Sequence, residues 1–95
     1  MFKNKRYITI GINERIPLAL QLIIWEMIDE MEIEQDFLQI FELSNEKENQ
    51  IITHSQEQPH YCNSVVCNLK IPVKTEKIYV IDNGEYSTML LSEEY

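Results

Sequence analysis

The chain has 95 residues, enough for one compact domain and too few for two ordinary ones. Hydrophobic residues make up 44% and charged residues 25%, which is globular and argues against disorder. Sixteen acidic residues against eight basic ones leave a formal net charge of -8, so the surface repels phosphate and direct nucleic-acid binding is excluded as an expectation.

Basic residues between Met1 and Arg6, followed by an apolar run from Pro17 to Trp25, loosely imitate a signal peptide. The run begins late, is interrupted by Gln21 and lacks a small-x-small cleavage site. It is also about half of the roughly 20 apolar residues that a membrane span needs. The expectation is a cytoplasmic protein without membrane contact, its Cys62 and Cys67 reduced.

Lys5–Ile12 alternates in part and predicts a strand. Pro17 suits a helix start, and the apolar spacing predicts one helix from about Ile16 to Ile33. Its core face is Leu20, Ile23, Ile24, Met27, Ile28 and Met31. Leu18, Leu22 and Trp25 fall on the opposite side, above Asp29, so the first half of the helix is apolar nearly all round. Asp36–Ser44 predicts a strand, with Gln39, Phe41 and Leu43 on one face. Ser44–Gln50 reads as a polar turn and Ile51–Gln56 as the returning strand. Ser64–Val73 predicts a further strand that Pro72 places at an edge. Lys77–Asp82 and Glu85–Leu91 flank Asn83-Gly84, the favoured pair of a type I′ turn. The whole is a single α+β domain, residues 1–95. One N-terminal helix packs on a mainly antiparallel sheet of about five to six strands, in the order β-α-β-β-β-β-β.

Several phrases resemble a known family: Arg6-Tyr7 with Gly11, Ile16-Pro17-Leu18, Leu38 to Leu43, His54 to Pro59 (HSQEQP), Val80 to Gly84, Ser87 to Leu91 and Glu93 to Tyr95. Together they are similar to a family of short, uncharacterised proteins from staphylococci and other Gram-positive bacteria. The resemblance implies no activity. Cys62 and Cys67 lie outside these phrases.

His54, His60, Cys62 and Cys67 are all metal-ligand types, and they fall in one short window. Their spacing, H-x₅-H-x-C-x₄-C, is not a zinc-finger framework. A Cys–His nucleophile would need an electropositive setting that this window lacks. Gly11 and Gly84 are the only glycines, so no glycine-rich phosphate loop exists. The expectation is therefore no cofactor, no metal and no catalytic residue, with these four residues as weak metal candidates for a small metal-binding or hydrolytic protein. The polar loop His54, Ser55, Gln56 and Glu57 is either a docking loop or a corner that satisfies its own backbone.

Charge is uneven: residues 1–15 balance at +3, residues 16–57 at -9 and residues 58–95 at -2. Glu26, Glu30 and Glu34 head an acidic surface at the end of the helix. Two binding readings follow. The first is a non-enzymatic interaction module whose Leu18, Leu22, Trp25 and Asp29 face meets a protein partner or a second copy. The second is an acidic decoy that inhibits a nucleic-acid-binding protein.

Overall fold

The computed structural model describes residues 1–69, 72–73 and 75–95. It is an α+β fold with a six-stranded sheet in the order β1-β6-β5-β2-β3-β4. The strands are β1 (Lys5–Ile8), β2 (Leu38–Glu46), β3 (Asn49–Gln56), β4 (Tyr61–Asn68), β5 (Glu76–Asp82) and β6 (Tyr86–Leu91). β1 runs parallel to β6, and the other neighbours are antiparallel.

The expected order with one N-terminal helix over Ile16–Ile33 is corrected: two helices follow β1, α1 (Ile10–Arg15), which lies outside the expected span, and α2 (Leu18–Asp29) within it, and a short 3₁₀ turn, Ser92–Glu94, follows β6. The expected strand Lys5–Ile12 stops at Ile8 because Thr9 caps a helix there. Its backbone is extended, and its hydroxyl accepts from Ile12 N at 3.3 Å. Pro17 then separates the helices. It disfavours helical backbone at the residue before it, and Ile16 is extended at φ -112° and ψ 114°. Gln21, which interrupts the apolar run, is buried and donates to the Ile16 carbonyl at 2.8 Å, closing the joint. α2 ends at Asp29 rather than Ile33. No base lies in its last turn to offset the carboxylates there, and the Gln35 amide serves the Ile28 carbonyl instead at 2.8 Å.

The hairpins differ in the same local way. β2 and β3 run on through the polar stretch expected to be a turn, pairing Ser44 with Ile51 and Glu46 with Asn49, so the turn is only Lys47-Glu48. Asn83-Gly84 does not form a type I′ turn, which needs positive φ at both residues. Gly84 has φ 99°, but Asn83 is not among the described residues with positive φ. The Asn83 side chain accepts from Glu85 N and Tyr86 N, each at 3.0 Å, and so builds a three-residue connection. β4 begins at Tyr61 and ends at Asn68, earlier than expected; residues 70 and 71 of the predicted Ser64–Val73 strand lie outside the described residues.

One face of the sheet is the core. Leu20, Ile24, Trp25, Met27 and Ile28 of α2 pack with Phe41, Leu43, Ile52, Ile78, Val80, Met89 and Leu91, and Phe2, Ile12 and Ile16 fill in beside them. Ile23 of the expected core face is partly buried against this cluster. Beyond α2, buried Gln50 accepts from Val73 N at 2.6 Å, and Asn45 donates to the Val73 carbonyl at 2.9 Å. Val73 is thereby held on the inner face.

Both ends of the chain are tied down. Phe2 is fully buried, and its N–H donates to Asp82 Oδ2 at 2.7 Å. Burial alone would raise the Asp82 pKa. Hydrogen bonds from Phe2 N, Gly84 N and Asn4 outweigh it and hold the carboxyl below its ordinary value. Near the other end, the Glu94 carboxylate accepts from Thr9 Oγ1 at 2.6 Å, Leu91 N at 2.8 Å and Gly11 N at 3.2 Å. Those contacts lower its pKa.

A Cβ at Gly11 would stand 2.6 Å from this carboxylate. Gly11→Ala therefore carries two opposed effects, a gain in helix propensity of up to about 1 kcal/mol and displacement of Glu94. In a Glu94→Ala background only the first survives. Urea unfolding of the two single variants and the double variant should show Gly11→Ala stabilising in that background and not in the wild type. An equal effect in both backgrounds would contradict the contact.

Candidate functional site

The alternation that places Gln39 with Phe41 and Leu43 also places it on the buried face. There it meets His54 and Gln56, which share the inner side of β3; all three are essentially inaccessible to solvent. Their amides form a directional chain. Gln56 Nε2 donates to the Glu34 and Pro59 carbonyls, both at 2.9 Å. Gln56 Oε1 accepts from Asp36 N at 2.9 Å and from Gln39 Nε2 at 2.6 Å. Gln39 Nε2 also donates to the Asp36 carbonyl at 2.8 Å, which leaves its Oε1 to accept from His54 Nε2 at 2.6 Å. With both amides oriented in this way, His54 must carry its proton on Nε2. The ring stacks on Phe41 at 4.2 Å between centroids and meets the Tyr61 ring edge-on at 5.2 Å. His54 Nδ1 is buried without a hydrogen-bond partner among the described residues. Burial lowers the pKa of this imidazole to about 4, so it is neutral at pH 7.

This network absorbs the inward half of the HSQEQP phrase. Ser55 points to the other face of β3 and Glu57 is exposed in the following turn, where Gln58 N donates to Asp36 Oδ2 at 3.1 Å. His60 is exposed in the same turn. Cys62 and Cys67 are five residues apart on β4, so they lie on opposite faces, and both are free thiols. The structure thus does not bring His54, His60, Cys62 and Cys67 together. Among the described residues no group of three or more His, Cys, Asp or Glu could hold a metal ion.

Sequence reasoning missed Gln39 as the centre of the network, although its place beside Phe41 and Leu43 was the available signal. It also missed Asp82, a carboxylate embedded in an apolar strand, which is the signal of a buried acceptor.

The outer side of α2 divides into two parts. Leu18 and Leu22, one turn apart, are 66% and 59% exposed. Trp25, on the same stripe, is 9% exposed: it packs into the core cluster, and the Arg6 guanidinium lies 4.6 Å above its ring. Arg6 is itself fixed, by an ion pair with Asp29 and by donating to the Phe2 carbonyl from Nε at 3.1 Å and Nη2 at 3.0 Å. The basic start of β1 thus seals Trp25 and neutralises Asp29, and leaves two leucines in solvent. Glu26 continues their stripe by another turn, and Glu30 and Glu34 are also exposed. Among the described residues, none of these three carboxylates forms an ion pair.

These features define a small α+β domain with a sealed polar core and an apolar, acid-bordered helix stripe on its surface. The chain belongs to the family described as Staphylococcal protein of unknown function (DUF960), whose model matches residues 5–94. It is also similar in structure to a crystal structure of a protein of unknown function from Enterococcus faecalis. That similarity has a TM-score of 0.87 at 25% identity and covers 97% of this chain and 91% of that one. No curated protein matches the chain. No helix of the described residues is long and apolar enough to cross a membrane.

The buried imidazole makes stability depend on pH. Unfolded, His54 titrates near its ordinary value of 6.5; folded, it titrates near 4. Between these values the unfolded chain binds a proton that the folded chain does not. Stability therefore declines as pH falls through this window, by up to about 3 kcal/mol. Urea unfolding at pH 7 and pH 5 should show this decline in the wild type and lose it in His54→Phe. That variant should also be less stable at pH 7, by about 1–3 kcal/mol, because Gln39 Oε1 loses its donor. An unchanged pH dependence in His54→Phe would contradict the assignment.

Proposed function

We propose that this protein is a non-enzymatic interaction module of the cytoplasm that binds another protein along the outer stripe of α2. The observation that carries the reading is the exposure of Leu18 and Leu22 on a helix whose other large apolar residues are covered. Leaving two leucines in water one turn apart is costly unless a partner covers them. Glu26 and Glu30 beside them are free to meet basic groups, so the partner fits best as a surface with apolar anchors and lysine or arginine at its border. Arg6 supports the reading by defining where the stripe stops, because Trp25 and Asp29 are already engaged within the chain. The burial of His54 speaks against catalysis in the HSQEQP corner. The free thiols of Cys62 and Cys67 are in keeping with a reducing compartment.

Affinity capture from the native host, with wild type and with Leu18→Glu/Leu22→Glu, tests the proposal. Both positions are exposed, so the variant should fold and unfold as the wild type does. It should lose the captured protein, because withdrawing two leucine contacts removes about 2–4 kcal/mol, a thirtyfold to thousandfold drop in affinity. Equal capture by both forms, or no capture by either, would overturn it.

A further inference from the structure

The two edges of the sheet are built differently. β1 is four residues long and carries Lys5 and Arg6, the usual protection against pairing with another strand. β4 at the opposite edge is eight residues long, reads YCNSVVCN, and contains no charged residue and no proline. Among the described residues it pairs with β3 on one side and with no strand on the other. Cys62, Asn63, Ser64 and Asn68 are exposed, and Val66 is 65% exposed. The uncharged stretch is longer than the strand: from Gln58 to Leu69 there is no Asp, Glu, Lys or Arg.

We infer that β4 is a self-association edge, on which the β4 strand of a second copy pairs antiparallel to extend the sheet across a two-fold axis. The argument for this occupant is electrostatic. Each copy carries a net charge of -8, so two copies approach only where the contact itself is free of like charge. Cross-strand partners point to the same face, which sets the allowed registers. If the axis passes through Ser64 or Val65, every residue of β4 on one copy meets a residue between His60 and Leu69 on the other. None of these is Asp, Glu, Lys or Arg. Pairing of the four-residue β1 with itself would instead bring the Lys5 and Arg6 of the two copies close together. Pairing of β1 with β4 is head-to-tail and would not close at two copies. The two-fold arrangement leaves the short basic β1 strands at the outer ends. The Leu18 and Leu22 stripes stay open, because Arg6 holds α2 to the β1 side of the sheet.

Sedimentation equilibrium over a dilution series tests this, with the wild type, Val66→Lys, Ser64→Glu and Leu18→Glu. The wild type and Leu18→Glu should reach twice the chain mass. Val66→Lys and Ser64→Glu, both at exposed positions, should stay at the mass of one chain with unchanged circular dichroism. A one-chain wild type at every concentration, or two-chain mass in the β4 variants, would overturn the proposal. Loss of the dimer in Leu18→Glu alone would move self-association to α2. Amide exchange of the unmodified protein gives a second reading. The β4 amides that point away from β3 should be slowed at high concentration, and exchange at the rate of exposed amides there would equally overturn the inference. Because the variants sit on β4, their failure leaves the α2 reading untouched.

Discussion

The whole molecule is shaped by a mismatch of width. Six strands spaced about 4.8 Å apart present a face roughly 24 Å across, whereas one helix with its side chains is about 10 Å wide. α2 therefore covers only part of the inner face, and the rest is closed by pieces of irregular chain. Such pieces bring backbone polar groups into the interior, and each needs a partner there. Gln39 and Gln56 meet that need for Glu34, Asp36 and Pro59, and His54 in turn satisfies the remaining Gln39 oxygen. Gln50 and Asn45 meet it for Val73. The buried polar residues are thus a consequence of having too little helix.

The same shortage explains how the surface is used. With the inner-face polar groups satisfied by one another, the inward side of the HSQEQP corner has, among the described residues, no buried side-chain polar atom left unpartnered except Nδ1 of His54. The N-terminal segment is spent on closing the core, through Phe2, and on covering Trp25, through Arg6. Among the described residues nothing similar reaches Leu18 and Leu22. The unpaired carboxylates that follow them lie in a stretch, Ile16 to Glu46, without a single lysine or arginine. The proposed partner surface and the proposed pairing edge therefore lie on the outside of the helix and at the sheet edge.

Much of this was readable in the residues. The alternation of β2, the strand after its turn and the last hairpin follows period-2 patterning, and the helical period identified Leu20, Ile24, Met27 and Ile28 as core. The boundaries were less legible for stated reasons. Ile10 and Ile12 continue the alternation of β1, and that period masks the N-cap signal of Thr9, where the helix begins. Pro17 suits a helix start, but it also disfavours helical backbone at Ile16, and that divides the two helices. The two faces of α2 were visible from spacing alone. That Arg6 would take Trp25 from the outer face was not, because it depends on a contact between residues nineteen positions apart. Likewise the clustering of His54, His60, Cys62 and Cys67 in sequence dissolves once the pleat sends alternate residues to opposite faces.

The account stands on His54 being locked neutral inside a fully oriented amide network. Nitrogen-detected NMR of the imidazole rings measures this directly. It predicts that at pH 7 the His54 ring carries its proton on Nε2, with that proton slow to exchange and the ring still neutral at pH 5. A proton on Nδ1, or an imidazolium at His54 at pH 5, would contradict it.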